Sequence, residues 1–154
     1  MKAGFVQRGG IWVLLQGLLL TASLAGGLFA ADRWNSPAMR SLGIVLLILG
    51  AVCGLAGAKA LGRNLTPFPQ PSSGTQLVRH GVYRWIRHPL YTAVISTALG
   101  WALLRQSGLA ILPALLLIPF FDAKSRVEER ALRQLFPDYS AYTRSSRRFI
   151  PWIY

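Results

Sequence analysis

Two short stretches hold most of the side chains able to do chemistry. The first is YRWIRHPLY, Tyr83 to Tyr91, with Arg84, Arg87, His88 and Pro89 pressed against the start of an apolar run. His80 and Gly81 lie just before it, in LVRHGVY. The second is the acidic pair Glu128 and Glu129, within DAKSRVEERALRQLF. A carboxylate pair accepts from an ammonium or from sugar hydroxyls, and an arginine grips a carboxylate through two parallel bonds. An imidazole can take a proton. If one cleft brings His80, Arg84, Arg87 and His88 opposite Glu128 and Glu129, with Tyr83 and Tyr91 beside them, it suits a small zwitterionic molecule carrying an aromatic ring.

Other chemistries are poorly served. Cys53 stands alone in an apolar run, so the chain forms no internal disulfide, and no Cys/His cluster has metal-ligand spacing. Cys53 reads as inert packing. Glycines such as Gly50, Gly54 and Gly57 read as places where helices approach closely in a membrane.

The elements that must position these groups are apolar. Of 154 residues, 53% are hydrophobic and 14% charged, a balance unlike an ordinary soluble domain. Four apolar runs, at about 11–31, 41–61, 90–104 and 108–121, predict an all-α polytopic membrane protein with four transmembrane helices, in a single domain over 1–154. The last two runs are short, so they cross only with their polar ends drawn in or the bilayer thinned. The alternative is a re-entrant hairpin closed by RQSG. The first run is too long for a cleaved leader and reads as an uncleaved span. Pro113 and Pro119 predict a kink or an opening in the fourth.

The net charge of +12 raises the question of nucleic acid. The position of the charge answers it. With a cytoplasmic N-terminus, Lys2, Arg8, Lys59, Arg63, Arg79, Arg84, Arg87 and the seven basic residues from Lys124 to Arg148 share one side. Arg33, Arg40 and Arg105 occupy the other, a distribution of 14 to 3. That predicts both termini in the cytoplasm of a bacterial inner membrane, with anionic headgroups and not nucleic acid as partners of the charge.

Both polar clusters then fall on one face of the membrane, in segments 77–91 and 122–151. Pro89 suits the first turn of the third span, which places His88 at its N-cap. Residues 122–136 continue the fourth helix as a cytoplasmic extension, with Val127, Ala131 and Leu135 as its apolar stripe. On that register Glu128 points partly inward and Glu129 pairs with Arg126 and Arg133. Pro137 ends the helix, and Tyr139 and Tyr142 follow.

GVYRWIRHPLYTA, then a short helical hairpin, then EERALRQLFPDYSAYTRSSRRFIP resembles the isoprenylcysteine carboxyl methyltransferase family, within the wider phospholipid methyltransferase group. The likeness covers roughly Leu61 to Pro151. It implies a membrane methyltransferase with S-adenosylmethionine as methyl donor and a lipophilic acceptor reaching the site from the bilayer. By motif position it implies a cofactor site of His80, Gly81, Tyr83, Arg87, His88, Pro89, Tyr91, Glu128 and Glu129, of which Arg87, His88, Glu128 and Glu129 are the catalytic set. Arg130 or Arg133 would steer a carboxylate acceptor, and His80 or His88 would serve as base for an amine. The family's glycine two residues after the tyrosine is Ala93 here. The closing PWIY is similar instead to membrane sterol reductases, which use a nicotinamide cofactor. A third reading is a non-enzymatic protein that binds anionic lipid.

Overall fold

The computed structural model describes residues 4–30, 34–71 and 74–154. Lys2, Arg33 and the end of the first predicted span lie outside the described residues. Five α-helices follow in chain order: α1 Gly10–Phe29, α2 Pro37–Leu61, α3 Pro89–Leu104, α4 Gly108–Leu135 and α5 Tyr139–Ser145. Short 3₁₀ turns at Gly62–Asn64 and Gly81–Arg84 bracket the connection between α2 and α3. Among the described residues the only extended pairing is an isolated parallel bridge between Ile86 and Arg147.

Three helices, α1, α2 and α4, are long and apolar enough to cross a membrane. The fourth apolar helix, α3, has 16 residues, or about 24 Å against a hydrocarbon core of about 30 Å. α4 runs unbroken for 28 residues with Pro113 and Pro119 inside it, so neither proline interrupts the helix.

Packing pairs α2 with α3 and α1 with α4, while α3 also meets α4 and α1. Glycines set the closest approaches. A Cβ on Gly43 would lie 2.6 Å from the Leu104 nitrogen, and one on Gly100 would lie 2.8 Å from the Gly43 carbonyl oxygen. One on Gly26 would meet the Ala110 nitrogen at 2.7 Å. These contacts are backbone against backbone, which only a residue without a side chain permits. Exposed leucines, isoleucines and valines cover the outer faces of α1 and α2, as lipid-facing helices require.

One end of the bundle is tied by hydrogen bonds around the turn between α3 and α4. Gln106, fully buried, accepts from the Ser36 amide at 2.8 Å and donates to the Ser36 carbonyl at 2.9 Å. Ser107 caps α4 by accepting from the Ala110 amide and donates to the Gly26 carbonyl. Arg105 donates to the Gly27 carbonyl at 3.0 Å. At the opposite end, Lys124 donates to Gln16 Oε1 at 2.7 Å and to the Pro67 carbonyl at 2.9 Å. Those bonds join α4, α1 and the connection that follows α2. Arg40 and Arg105 therefore sit at one end, and the remaining described basic residues at the other.

The expected buried face of α4 changes. Leu135 is exposed and Val127 and Ala131 are half-buried, so these residues are not its buried face. Beyond Phe121 the buried residues are Lys124, Ser125 and Glu129. A polar cluster, not an apolar core, covers that end of the helix, so hydrophobic periodicity points to the wrong face there.

Because Gly100 packs on the backbone of α2, Gly100→Leu is expected to overpack the interface by about 1–3 kcal/mol. Gly17 has open space around its Cα, so Gly17→Ala should be neutral. Melting temperatures of both variants in one detergent check this. Equal values would refute the packing assignment.

Candidate functional site

Pro89 opens α3 and is buried against α2, where a Cβ on Gly57 would lie 3.2 Å from its ring. His88 occupies the N-cap, but its side chain makes no capping bond. The ring turns instead toward α4, whose residues 128 and 129 lie level with it. His88 Nε2 is 3.2 Å from Glu129 Oε1, and His88 Nδ1 is 3.7 Å from Glu128 Oε2. An ionised carboxylate only accepts, so Nε2 carries a proton toward Glu129. Nδ1 is then the ring atom facing Glu128.

Glu129 is the centre of this arrangement. Its side chain is 1% exposed, and it takes Arg87 Nε at 3.0 Å, Arg133 Nη2 at 3.2 Å and Arg148 Nε and Nη2, each at 3.4 Å. Glu128 differs. Its side chain is 28% exposed, and its Oε2 accepts from the Tyr91 hydroxyl at 2.6 Å. Tyr91 in turn stacks on His88, with ring centroids 5.1 Å apart and planes within 5°.

Arg87 also ties down the C-terminal segment. Its Nη1 donates to the carbonyls of Ser146 at 2.6 Å and Thr143 at 3.3 Å. Backbone pairing reinforces this: the amides of Arg87 and His88 donate to the carbonyls of Arg147 and Arg148, and the Arg147 amide donates to the Trp85 carbonyl. The Thr92 hydroxyl adds a bond to the Phe149 carbonyl at 2.9 Å. The chain end then folds back. Tyr154 donates its hydroxyl to Asp122 at 2.7 Å, where Arg148 also binds at 2.8 Å.

Above this knot lies a cleft of about 770 Å³, part of it open to solvent. Arg87, His88, Tyr91 and Glu128 line it together with Tyr83, Tyr139 and Tyr142. Leu90 and Leu132 add apolar surface, and the connection after α2 supplies a wall through residues such as Thr66, Phe68 and Leu77. Phe68 is held there by Arg8, whose guanidinium sits 4.2 Å from its ring centre. The Tyr142 hydroxyl donates to the Tyr83 carbonyl at 2.6 Å. Burial pushes the Tyr142 phenol up to about 12 and drives Tyr83 and Tyr139 well above their ordinary values, so all three stay protonated.

The structure therefore gathers Tyr83, Arg87, His88, Tyr91 and Glu128 at one cleft, as the sequence predicts. Other expected members are elsewhere. His80 is exposed and does not line the cleft. Gly81 serves its backbone, with φ of 61° at the start of the 3₁₀ turn. Pro89 packs away from the cleft, on α2. Arg84 lies over Trp85 and lines a separate recess. Arg126 pairs with Asp122 at 2.8 Å, not with Glu129. Arg130 is exposed and bonds back to the Arg126 carbonyl. The inward carboxylate is Glu129, which makes Glu128 the one that faces the cleft. Sequence reasoning missed Arg148, Asp122, Lys124 and Ser146. All are ordinary residues in a charged run, and only the return of the chain end shows their use.

A model of the phospholipid methyltransferase family matches residues 38–139. The nickel-cobalt-cadmium resistance protein NccN of Alcaligenes xylosoxydans xylosoxydans is 30% identical over 147 residues, 94% of this chain. The chain spans 65% of that protein's length. The protein-S-isoprenylcysteine O-methyltransferase of Saccharomyces cerevisiae is 31% identical over 116 residues, 73% of this chain and 48% of that protein. Among solved structures, the eukaryotic intramembrane Ras methyltransferase (isoprenylcysteine carboxyl methyltransferase) superposes with a TM-score of 0.67 at 25% identity. The superposition covers 94% of this chain and 53% of that one.

The two carboxylates should respond differently to truncation. Glu129→Ala strands Arg87 and Arg148 without their buried partner and is expected to cost about 3–5 kcal/mol. Glu128→Ala, at a solvent-accessible position, should leave the protein monodisperse with its melting temperature within about 2 °C of the parent. Thermal melts in detergent separate the two. A stable Glu129→Ala protein would contradict the central role given to that carboxylate.

Proposed function

Because the chain belongs to the phospholipid methyltransferase family, we propose that it is an integral membrane methyltransferase that takes its methyl group from S-adenosylmethionine. The acceptor is a lipophilic or membrane-partitioned molecule carrying a carboxylate, amine or thiol. The observation that supports this best is the convergence of Tyr91, His88, Arg87 and Glu128 on one cleft with three further tyrosines. That donor set fits a zwitterion joined to an aromatic base. Glu128 accepts from hydroxyls or an ammonium, Arg87 carries the charge for a carboxylate, and the tyrosine rings offer apolar faces. When bound, S-adenosylmethionine supplies a methyl group on a sulfonium, open to direct displacement.

The remaining work belongs to the chain. Glu129 makes no bond across the cleft. It holds Arg87 and His88 in place, so its role is positioning. Tyr91 fixes Glu128 by its 2.6 Å bond. For an amine acceptor, His88 Nδ1 is the atom that takes the proton, because Nε2 is committed to Glu129. A carboxylate acceptor requires alignment and exclusion of water only.

An apolar crevice of about 840 Å³ lies between α1, α2 and α3, bordered by Leu20, Gly50, Ala93, Val94, Thr97 and Trp101. Leu90 and Tyr91 line the cleft and Ala93 and Val94 line the crevice, so the two adjoin one turn of α3. The apolar part of the acceptor would lie there. Ala93, the departure from the family's glycine, faces this crevice. In the same reading all four apolar helices cross the bilayer, α3 with its polar ends drawn in, and the cleft opens on the cytoplasmic side of a bacterial inner membrane. The distribution of basic residues between the two ends supports that orientation.

The closing PWIY, the feature shared with sterol reductases, has a structural role. Its tyrosine bonds Asp122, and its tryptophan packs on Trp85 with ring centroids 5.5 Å apart. Calorimetry on purified protein should show saturable heat with S-adenosylhomocysteine. Glu128→Ala should weaken it at least about tenfold, and Arg130→Ala should leave it unchanged. Thermal protection by NADPH, with no heat from S-adenosylhomocysteine, would replace this reading with the reductase one.

A further inference from the structure

Arg84 was expected at the cleft and is found outside it, where it helps build a second polar recess. This recess lies between the 3₁₀ turn Gly81–Arg84 and α5. It encloses about 920 Å³, partly open, and is bordered by Arg79, Arg84, Trp85, Ala141, Tyr142 and Ser145. Tyr142 is a wall shared with the cleft. The geometry points to a site for the phosphate headgroup of an anionic membrane phospholipid.

The charge at the recess is one-sided. Two guanidiniums line it and no carboxylate does. Arg84 rests over the Trp85 ring at 5.8 Å, which leaves its donors free of any acid in that contact. Arg79 pairs with Asp138 at 3.3 Å, but both side chains are exposed, at 46% and 76%. Such a surface pair holds weakly and can be shared with a second anion. The hydroxyls on the wall do not compete for the cations: Tyr142 donates to the Tyr83 carbonyl, and Ser145 donates to the Tyr142 carbonyl. Guanidiniums that face an open recess match phosphate oxygens in number and planarity.

What stands beside the cations argues for a lipid over a free phosphate. Trp85 is 49% exposed and packs edge-on with Trp152, itself 76% exposed. Ile150 and Ile153 extend the apolar surface at 48% and 77% exposure. Trp152 has φ of 62°, a left-handed conformation that a bulky residue seldom adopts, and the turn it makes brings its indole onto Trp85. Two exposed indoles in contact, with exposed isoleucines on the same turn as Trp152 and two arginines at the recess, are the residue types that a membrane interface takes up, aromatic and apolar groups toward acyl chains and cations toward phosphates. A soluble anion would use the arginines alone. A lipid uses both.

Neither arginine belongs to the proposed methyl-transfer machinery, and the test needs no methyl donor, so it stands or falls separately. Detergent-purified protein is titrated with phosphatidylglycerol or with phosphatidylcholine of the same acyl chains, and retained lipid is counted by native mass spectrometry. Phosphatidylglycerol should be retained preferentially. Arg79→Gln/Arg84→Gln should lower that preference about tenfold or more, with an unchanged melting temperature and unchanged S-adenosylhomocysteine binding. If the double variant is unstable, Arg84→Gln alone should lower the preference by several-fold. Millimolar inorganic phosphate should not displace the lipid. Equal retention of both lipids, a preference untouched by the arginine changes, or displacement by phosphate alone would each overturn the proposal.

Discussion

Glu129 accepts from Arg87, Arg133, Arg148 and His88 while almost no solvent reaches it. A lone carboxylate in that position would be strongly disfavoured, and so would the cations around it. Each becomes tolerable only because the others are present. Arg87 comes from the stretch before α3, Arg133 from α4 and Arg148 from the chain end, so closing this one cluster assembles the polar end of the bundle. Arg87 then reaches the carbonyls of α5 and the segment after it, and the backbone pairs Trp85–His88 with Arg147 and Arg148. Glu128 and Tyr91 are carried into the cleft on the same scaffold.

The bundle beneath has a different logic. Its helices meet at glycines such as Gly26, Gly43 and Gly100, at separations that leave no room for a Cβ, because bilayer lipid offers no hydrophobic gain for bringing apolar helices together. Polar bonds then close both ends. Gln106 and Ser107 tie the turn between α3 and α4 to the ends of α2 and α1. Lys124 performs the matching task at the other end, through Gln16 and Pro67. The result is a vertical order along α3. The polar cleft sits at its first turn and the apolar crevice one turn further in, an arrangement suited to joining a water-soluble group to a lipophilic one.

The likeness drawn from Arg87-His88-Pro89, the acidic pair and the spaced tyrosines is borne out by the family model over 38–139. The registers within that pattern were less legible. The helical stripe turned Glu128 partly inward and left Glu129 to pair with Arg126 and Arg133; Glu129 does pair with Arg133 but is the fully buried carboxylate, while Glu128 lines the cleft. Apolar periodicity locates the face that meets an apolar neighbour. Here the neighbour is an arginine–histidine cluster, so the signal was carried by charges that look like a solvated face.

Composition and run length alone determined an all-helical chain in a membrane, the polar clusters at one end, and the breaks at Pro89 and Pro137, because helix length and proline geometry are local properties. The tertiary structure alone decided which of two adjacent carboxylates is buried, that His80, Pro89 and Arg84 stand away from the cleft, and that Arg148 and Tyr154 return to brace it. Those outcomes depend on contacts between residues far apart in the chain, such as Arg87 with Ser146, 59 positions away. No local pattern encodes a partner that arrives from the other end of the chain.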